Sequence, residues 1–237
     1  MYKRLVFLYF MMMCFLAGAQ VPVEKSALHP SLVSTGYFGP YAFPVPELLE
    51  GDICSTMHME VSGDLASGTE LRDRTYATFK ASVPLWTDRA TLTIWGEMHE
   101  WYEDTPQARE LRRVNEQYPL KGDCAGNVYF SIDMLVLRET QKRPSVALRA
   151  ATQSATGDKY EIARHYDAPG YFFDISSGKS FSIGKEGSFR ASVTAGFVCW
   201  QTDRGSQNDA MMLGAKVSYS HPLLTLSAEY GQYSGLE

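Results

Sequence analysis

The residues of this 237-residue chain that could do acid–base or metal chemistry are His58, Glu60, Asp64, Lys80, Glu97, His99, Asp133, Arg149, Asp174, Arg190, Lys216 and Glu229. Each stands on the hydrophilic phase of a segment in which polar and apolar residues alternate. Glu60, Lys80 and Glu97 fall on three successive segments, and His58 and His99 on two of the same three. Imidazole and carboxylate bind a zinc ion at about 2.0–2.2 Å, so a metal or proton site is one reading. The other is a salt-bridged interior, because opposite charges on neighbouring strands pair without any ion. Convergence on an ion requires one particular register, and a one-residue slip sends every side chain to the opposite face. The salt-bridged interior is therefore preferred, with no metal or cofactor assigned.

Nucleophile chemistry finds less support. His165 with Ser154, and His221 with Ser220, are the available pairs, but none lies in a GxSxG turn. Ser182-Ile183-Gly184-Lys185-Glu186-Gly187 lacks the GxxxxGK[ST] spacing that cradles phosphate. Lys142 and Arg143 read as solvated charges in a turn. Cys54, Cys124 and Cys199 are widely spaced, odd in number and free of CxxC pairs, which excludes a disulfide framework. They read as three isolated small apolar residues; a single bridge among them is not deducible. No catalytic residue is assigned, and the chain is not read as an enzyme.

The elements that carry these residues are strands. Period-two alternation predicts nine: Ile53–Leu65, Tyr76–Leu85, Arg89–Glu103, Asn127–Arg138, Ser145–Ala155, Tyr171–Phe181, Phe189–Gln201, Met211–Ser220 and Leu223–Tyr233. Several run beyond the five or six residues of an ordinary strand. Their connections alternate. Short ones follow the even strands, at 86–88, 139–144, 182–188 and 221–222; long ones at 66–75, 104–126 and 156–170 and a medium one at 202–209 follow the odd strands. Thr105 as N-cap, Pro106 at the first helical position and an Ala108, Leu111, Val114 stripe predict one or two helical turns in the longest loop.

Short turns on one side, long polar loops on the other and aromatics near strand ends (Trp86, Trp101, Tyr171, Phe181, Phe189, Phe197) fit a transmembrane β-barrel. A soluble sandwich also alternates; strand length, loop asymmetry and the export signal favour the barrel. That signal is Lys3-Arg4, the apolar run Leu5–Leu16 and an Ala17-Gly18-Ala19 cleavage site. The expected organisation is a signal peptide over 1–19, a proline-rich periplasmic leader over 20–51 and a barrel over 52–237. The aliphatic phases, odd in Ile53–Leu65 and even in Ala90–Met98, would face lipid. Hydrophobic residues make up 45% and charged ones 21%, which excludes a disordered chain and a multi-span helical protein. The net charge of −5 disfavours nucleic acid as a partner.

Gly36-Tyr37-Phe38-Gly39-Pro40-Tyr41-Ala42-Phe43-Pro44-Val45-Pro46-Glu47 followed by a long amphipathic strand, together with Tyr166-Asp167-Ala168-Pro169-Gly170-Tyr171-Phe172 and Gln207-Asn208-Asp209-Ala210, resembles uncharacterised outer-membrane β-barrel proteins of the Bacteroidetes type. The resemblance implies an outer-membrane location after Sec-type export, the lipid bilayer as partner, and no known activity or catalytic residue. Nine strands is an odd number and bacterial barrels have even ones, so the barrel is expected to be incomplete at its C-terminal end. The expected function is a pore or a structural role in the envelope. The alternatives are a barrel whose outer loops bind a glycan or protein, and a secreted sandwich that binds carbohydrate.

Overall fold

The computed structural model describes residues 44–65, 73–85, 88–111, 114–166, 168–184, 186–203 and 206–234. The expected signal peptide and the leader up to residue 43 lie outside the described residues.

The chain forms one sheet. Its strands are β1 His58–Leu65, β2 Asp73–Pro84, β3 Ala90–Glu103, β4 Lys121–Cys124, β5 Val128–Leu137, β6 Ser145–Gln153, β7 Gly170–Ile183, β8 Gly187–Asp203, β9 Ser206–His221 and β10 Leu224–Ser234. The order is β1-β2-β3-β5-β6-β7-β8-β9-β10, with the short β4 beside β3, and every pairing is antiparallel. This all-β sheet curls into a half-barrel with almost no helix. The described residues contain no second sheet stacked on the first, which a sandwich requires. Among them, β1 pairs only with β2 and β10 only with β9.

Nine of the ten strands overlap the nine alternating segments, with three differences. The first strand begins at His58, not Ile53: residues 52–57 leave the ladder, and the Thr91 hydroxyl donates to the Cys54 carbonyl at 2.6 Å. The connection expected over 202–209 is short, because β8 and β9 stay paired out to Asp203 and Ser206. The connection expected over 104–126 contains β4, whose Lys121–Cys124 pair with Glu103–Glu100. In the same connection Thr105 caps α1 (Pro106–Leu111), its hydroxyl accepting from the Ala108 N–H at 3.1 Å.

The two faces of the sheet invert the usual arrangement of a soluble protein. Thr91, Thr93, Ser131, Asp133, Arg149, Asp174, Ser176 and Thr194 are buried on the concave face. On the convex face Met134, Leu148, Phe173, Ile175, Val193, Phe197, Leu213 and Val217 are 36–60% exposed. A modest aromatic core lies on the concave side: Tyr129, Phe172, Val198 and Trp200 are buried, and Trp95 stacks on Tyr129 with ring centroids 5.2 Å apart.

The chain itself occupies part of the concave side. Leu48 is buried against Gly214 and Gly231, register partners on β9 and β10; a Cβ at Gly214 would stand 2.4 Å from a Leu48 methyl. Gly51 adopts φ +76 and meets Gly178 of β7 backbone to backbone, so closely that a Cβ on Gly178 would lie 2.0 Å from the Glu50 carbonyl oxygen. Thr194 donates to the Leu49 carbonyl at 2.9 Å, and Ser176 accepts from the Gly51 N–H at 3.1 Å. The end of the expected leader thus threads the hollow of the sheet.

Candidate functional site

Two polar clusters lie on the concave side. The first is built by in-register strand partners. Asp133 of β5 stands opposite Arg149 of β6, and Arg149 opposite Asp174 of β7. Arg149 Nε donates to Asp174 Oδ2 at 2.7 Å, and both side chains are buried. Asp133 accepts from Ser131 at 2.9 Å and from Thr93 at 3.2 Å. The guanidinium also lies 4.9 Å over the Phe172 ring. Buried charges survive only when paired and hydrogen-bonded; strand geometry alone pairs these three, while Arg149 Nη2 and Asp174 Oδ1 have no hydrogen-bond partner among the described residues.

Toward the short turns the same logic continues. Arg190 donates to Glu139 at 2.8 Å, Ser180 at 2.8 Å, Ser145 at 3.0 Å and the Glu50 carbonyl at 2.6 Å. Lys216 bridges Glu50 at 2.8 Å and Glu229 at 3.4 Å. Lys80 pairs with Glu47. These contacts tie the threaded segment to the wall around a polar cavity of about 350 Å³ lined by Glu50, Arg190, Lys216 and several serines. Burial alone would raise Glu139, but the Ser180 N–H, Arg190, Lys179 and the Ser180 hydroxyl outweigh it and hold the carboxyl down at about 2.

The second cluster lies at the opposite, long-loop end. Glu100 of β3 is buried and accepts from Arg164, from His165 Nε2 at 2.8 Å and from the Cys124 thiol at 3.2 Å. Arg164 also reaches Asp104 at 3.2 Å and stacks 4.8 Å over the Tyr102 ring. Two loops supply the partners. Asn127, wholly buried, donates to the Tyr166 carbonyl at 2.9 Å and accepts from the N–H groups of Thr156 and Gly157 at 3.1 and 2.7 Å. It thereby seats the 154–169 loop against the start of β5. Lys159 and Ala163 adopt left-handed backbone, φ 61 and 57. An alanine pays strain there, and the turn it makes delivers Arg164 and His165 into the interior. Burial pushes the His165 imidazole below its ordinary value; the carboxylates of Glu97 and Asp158 oppose the shift and Arg164 adds to it.

A bulge creates this second cluster. Thr78 pairs with Glu97 but Ala77 pairs with His99, so Met98 is an extra residue on β3. Before it the odd positions Thr91, Thr93 and Glu97 are buried; after it the even positions Glu100 and Tyr102 are. His99, expected among the interior charges, is thereby turned toward exposed Trp101, with ring centroids 4.3 Å apart, and lies 3.6 Å from Asp123. His58 and Glu60 pair with each other at 3.6 Å on the edge strand, both more than half exposed. Glu97 is buried and its Oε2 has no hydrogen-bond partner.

Of the predicted interior charges, the sheet joins Asp133, Arg149 and Asp174 into one group and Arg190, Lys216 and Glu229 into another through Glu50. It does not join His58, Glu60 or His99 to either. Sequence reasoning missed Glu100, Arg164 and Cys124 as one group; Gly126 beside Glu97 and His165 was a faint signal, since a Cβ there would lie 2.6 Å from Glu97 Oε2 and 3.1 Å from His165 Cε1. No disulfide joins any two of Cys54, Cys124 and Cys199. Comparison of the chain with protein-family models, curated proteins and solved structures returned no match.

Proposed function

We propose that this chain is the wall of an outer-membrane β-barrel protein with a structural role in the envelope, its interior held by its own residues 45–54. One observation carries the reading: the convex face exposes a continuous aliphatic and aromatic surface while the buried concave face carries the charges. In water such a surface invites association; in hydrocarbon it is the required surface, with polar residues turned inward. The resemblance to Bacteroidetes-type outer-membrane barrels points the same way. The threaded segment, the Asp133–Arg149–Asp174 triad and the Glu50–Arg190–Lys216 contacts fill the hollow, which favours a structural role over an open pore.

The test has two stages. Expressed with its export signal in a Gram-negative host, the protein should float with outer-membrane markers on a density gradient and resist extraction by alkaline carbonate. Recovery in the soluble periplasmic fraction overturns the membrane reading. Reconstituted in planar bilayers, it should show no sustained conductance steps; discrete, long-lived steps would restore the pore.

A further inference from the structure

The long-loop cluster holds a donor set that the structural reading leaves unused. One carboxylate oxygen of Glu100, the Cys124 sulfur and a ring nitrogen of His165 lie within 4.8 Å of one another, all buried. They come from three separate pieces of chain: β3, β4 and the 154–169 loop. Two buried polar atoms beside them have no hydrogen-bond partner, Glu97 Oε2 and His165 Nδ1. Both belong to residues that flank Gly126. A histidine that ligates a metal through one ring nitrogen characteristically donates from the other to a carboxylate. The Glu97 carboxylate and the His165 ring border the same point beside Gly126, 2.6 and 3.1 Å from a Cβ there, so Glu97 is within range to supply that second carboxylate once the ring binds an ion.

The charges ask for a cation as well. Arg164 is shared between the carboxylates of Glu100 and Asp104. A divalent ion bound to the Cys124 thiolate would offset the thiolate and add to the one cation that those two carboxylates share.

We infer that Glu100, Cys124 and His165 form a binding site for a zinc-class divalent cation, with Glu97 orienting the His165 ring, that clips both long loops to β3. A sulfur, nitrogen and oxygen donor set selects a borderline ion such as Zn²⁺ over Mg²⁺ or Ca²⁺. Tetrahedral zinc with these ligands spaces its donors about 3.3–3.6 Å apart. Two of the three spacings are 2.8 and 3.2 Å. The ion therefore replaces the proton shared by His165 and Glu100 and that of the thiol, with a widening of a few tenths of an ångström. One proton leaves Cys124 to solvent, and the His165 proton moves from Nε2 to Nδ1, on the side of Glu97, so that Nε2 binds the ion as neutral imidazole. The site does not depend on a membrane location, since it is built from the loop end of the sheet in either solvent.

The test uses the full purified chain in detergent. Titrated with Co²⁺, it should take up one equivalent and develop a thiolate-to-cobalt charge-transfer band in the near ultraviolet, which Zn²⁺ abolishes by displacement. Cys124→Ser should lose the band, while Cys54→Ser and Cys199→Ser keep it. A measurement on the unaltered chain guards against a variant that fails to fold. Zinc at a concentration 100 times its Kd should slow alkylation of Cys124 by about 100-fold and leave Cys199, outside the donor set, much less affected. A chain that develops no thiolate band, a band that survives in Cys124→Ser, or Cys124 alkylation unchanged by zinc each overturns the site.

Discussion

The Asp133–Arg149–Asp174 triad and the Glu100–Arg164–His165 cluster are both buried charge networks built around one arginine, yet the fold assembles them differently. The triad comes from register partners on adjacent strands, so once β5, β6 and β7 pair, its groups have no other place to go. The loop-end cluster needs a bulge at Met98, a left-handed alanine at 163 and a buried asparagine at 127 before Arg164 and His165 can reach Glu100. A regular ladder positions the first group without local strain. The second is held by features that cost energy, which is where binding chemistry tends to reside.

The largest expected effect is on the triad. Arg149→Leu leaves two carboxylates buried without their cation, and breaking a buried pair from one side costs about 3–5 kcal/mol. Urea unfolding of the refolded chain should show a matching fall in midpoint. Arg149→Leu combined with Asp174→Leu and Asp133→Leu should recover much of the loss, since an apolar replacement of the whole group leaves no unpaired charge. Failure of the triple variant to recover would mean that the triad sets register and does more than fill space.

The second effect separates the two faces. Ile175 is 49% exposed on the convex face, and its neighbours Asp174 and Ser176 are buried on the concave one. On the proposed membrane reading, Ile175→Arg should cost about 2–4 kcal/mol if it lies near the bilayer midplane. Leu223→Arg, in the exposed turn between β9 and β10, should cost close to nothing. Folding assays in lipid vesicles measure both. Equal tolerance of the two substitutions would remove the lipid from the convex face.

The legibility of the two clusters follows from their construction. Alternation located the paired strands because a half-buried ladder imposes a period of two on composition, and every residue of the triad lay on the predicted phase. It put His99 on the interior phase because a single extra residue inverts everything beyond it, and Met98 carries no mark in the sequence. Glu100 was assigned no role for the same reason. Arg164 and His165 lie in a loop, where position depends on tertiary contacts such as those of Asn127. The threaded segment was read as a leader because its prolines exclude strand pairing, which holds for residues 44–51 and says nothing about where an unpaired chain runs. Gly178, Gly214 and Gly231 were the available hint, each a strand glycine at which another segment approaches closely.

The turn end offers a third, smaller effect through pH. Glu139 accepts from Ser180, Lys179 and Arg190, which hold its carboxyl near 2 against an ordinary 4.5. A carboxyl lowered on folding adds stability that is complete above its unfolded value and disappears as the pH falls through its folded one. The contribution should therefore be constant above about pH 5 and decline between about 4.5 and 2. The carboxyl is a quarter exposed, so screening reduces it to about 1 kcal/mol. Glu139→Gln should flatten that part of the stability–pH curve relative to the unaltered chain. An unchanged slope between pH 4.5 and 2 would show that the Glu139 contacts do not persist in solution.

The smallest effect tests whether burial, and not the chemical type of a pair, distinguishes the clusters. His58 and Glu60 repeat the imidazole–carboxylate pairing of His165 and Glu100, but at 3.6 Å on the edge strand and with both side chains 54% exposed. His165 and Glu100 meet at 2.8 Å with essentially no exposure. An exposed pair exchanges hydration for a weak, screened attraction and pays side-chain entropy to hold it. His58→Gln should therefore change stability by less than about 0.5 kcal/mol, and by still less at high salt. The buried partners have no water to return to, so His165→Leu leaves Glu100 short of a donor and should cost about 1–3 kcal/mol. Chemical denaturation of both variants at low and high salt makes the comparison. If His58→Gln cost as much as His165→Leu, the β1 edge would have to be covered in the folded protein, and the exposure of β1 in the half-barrel would not describe the state in solution.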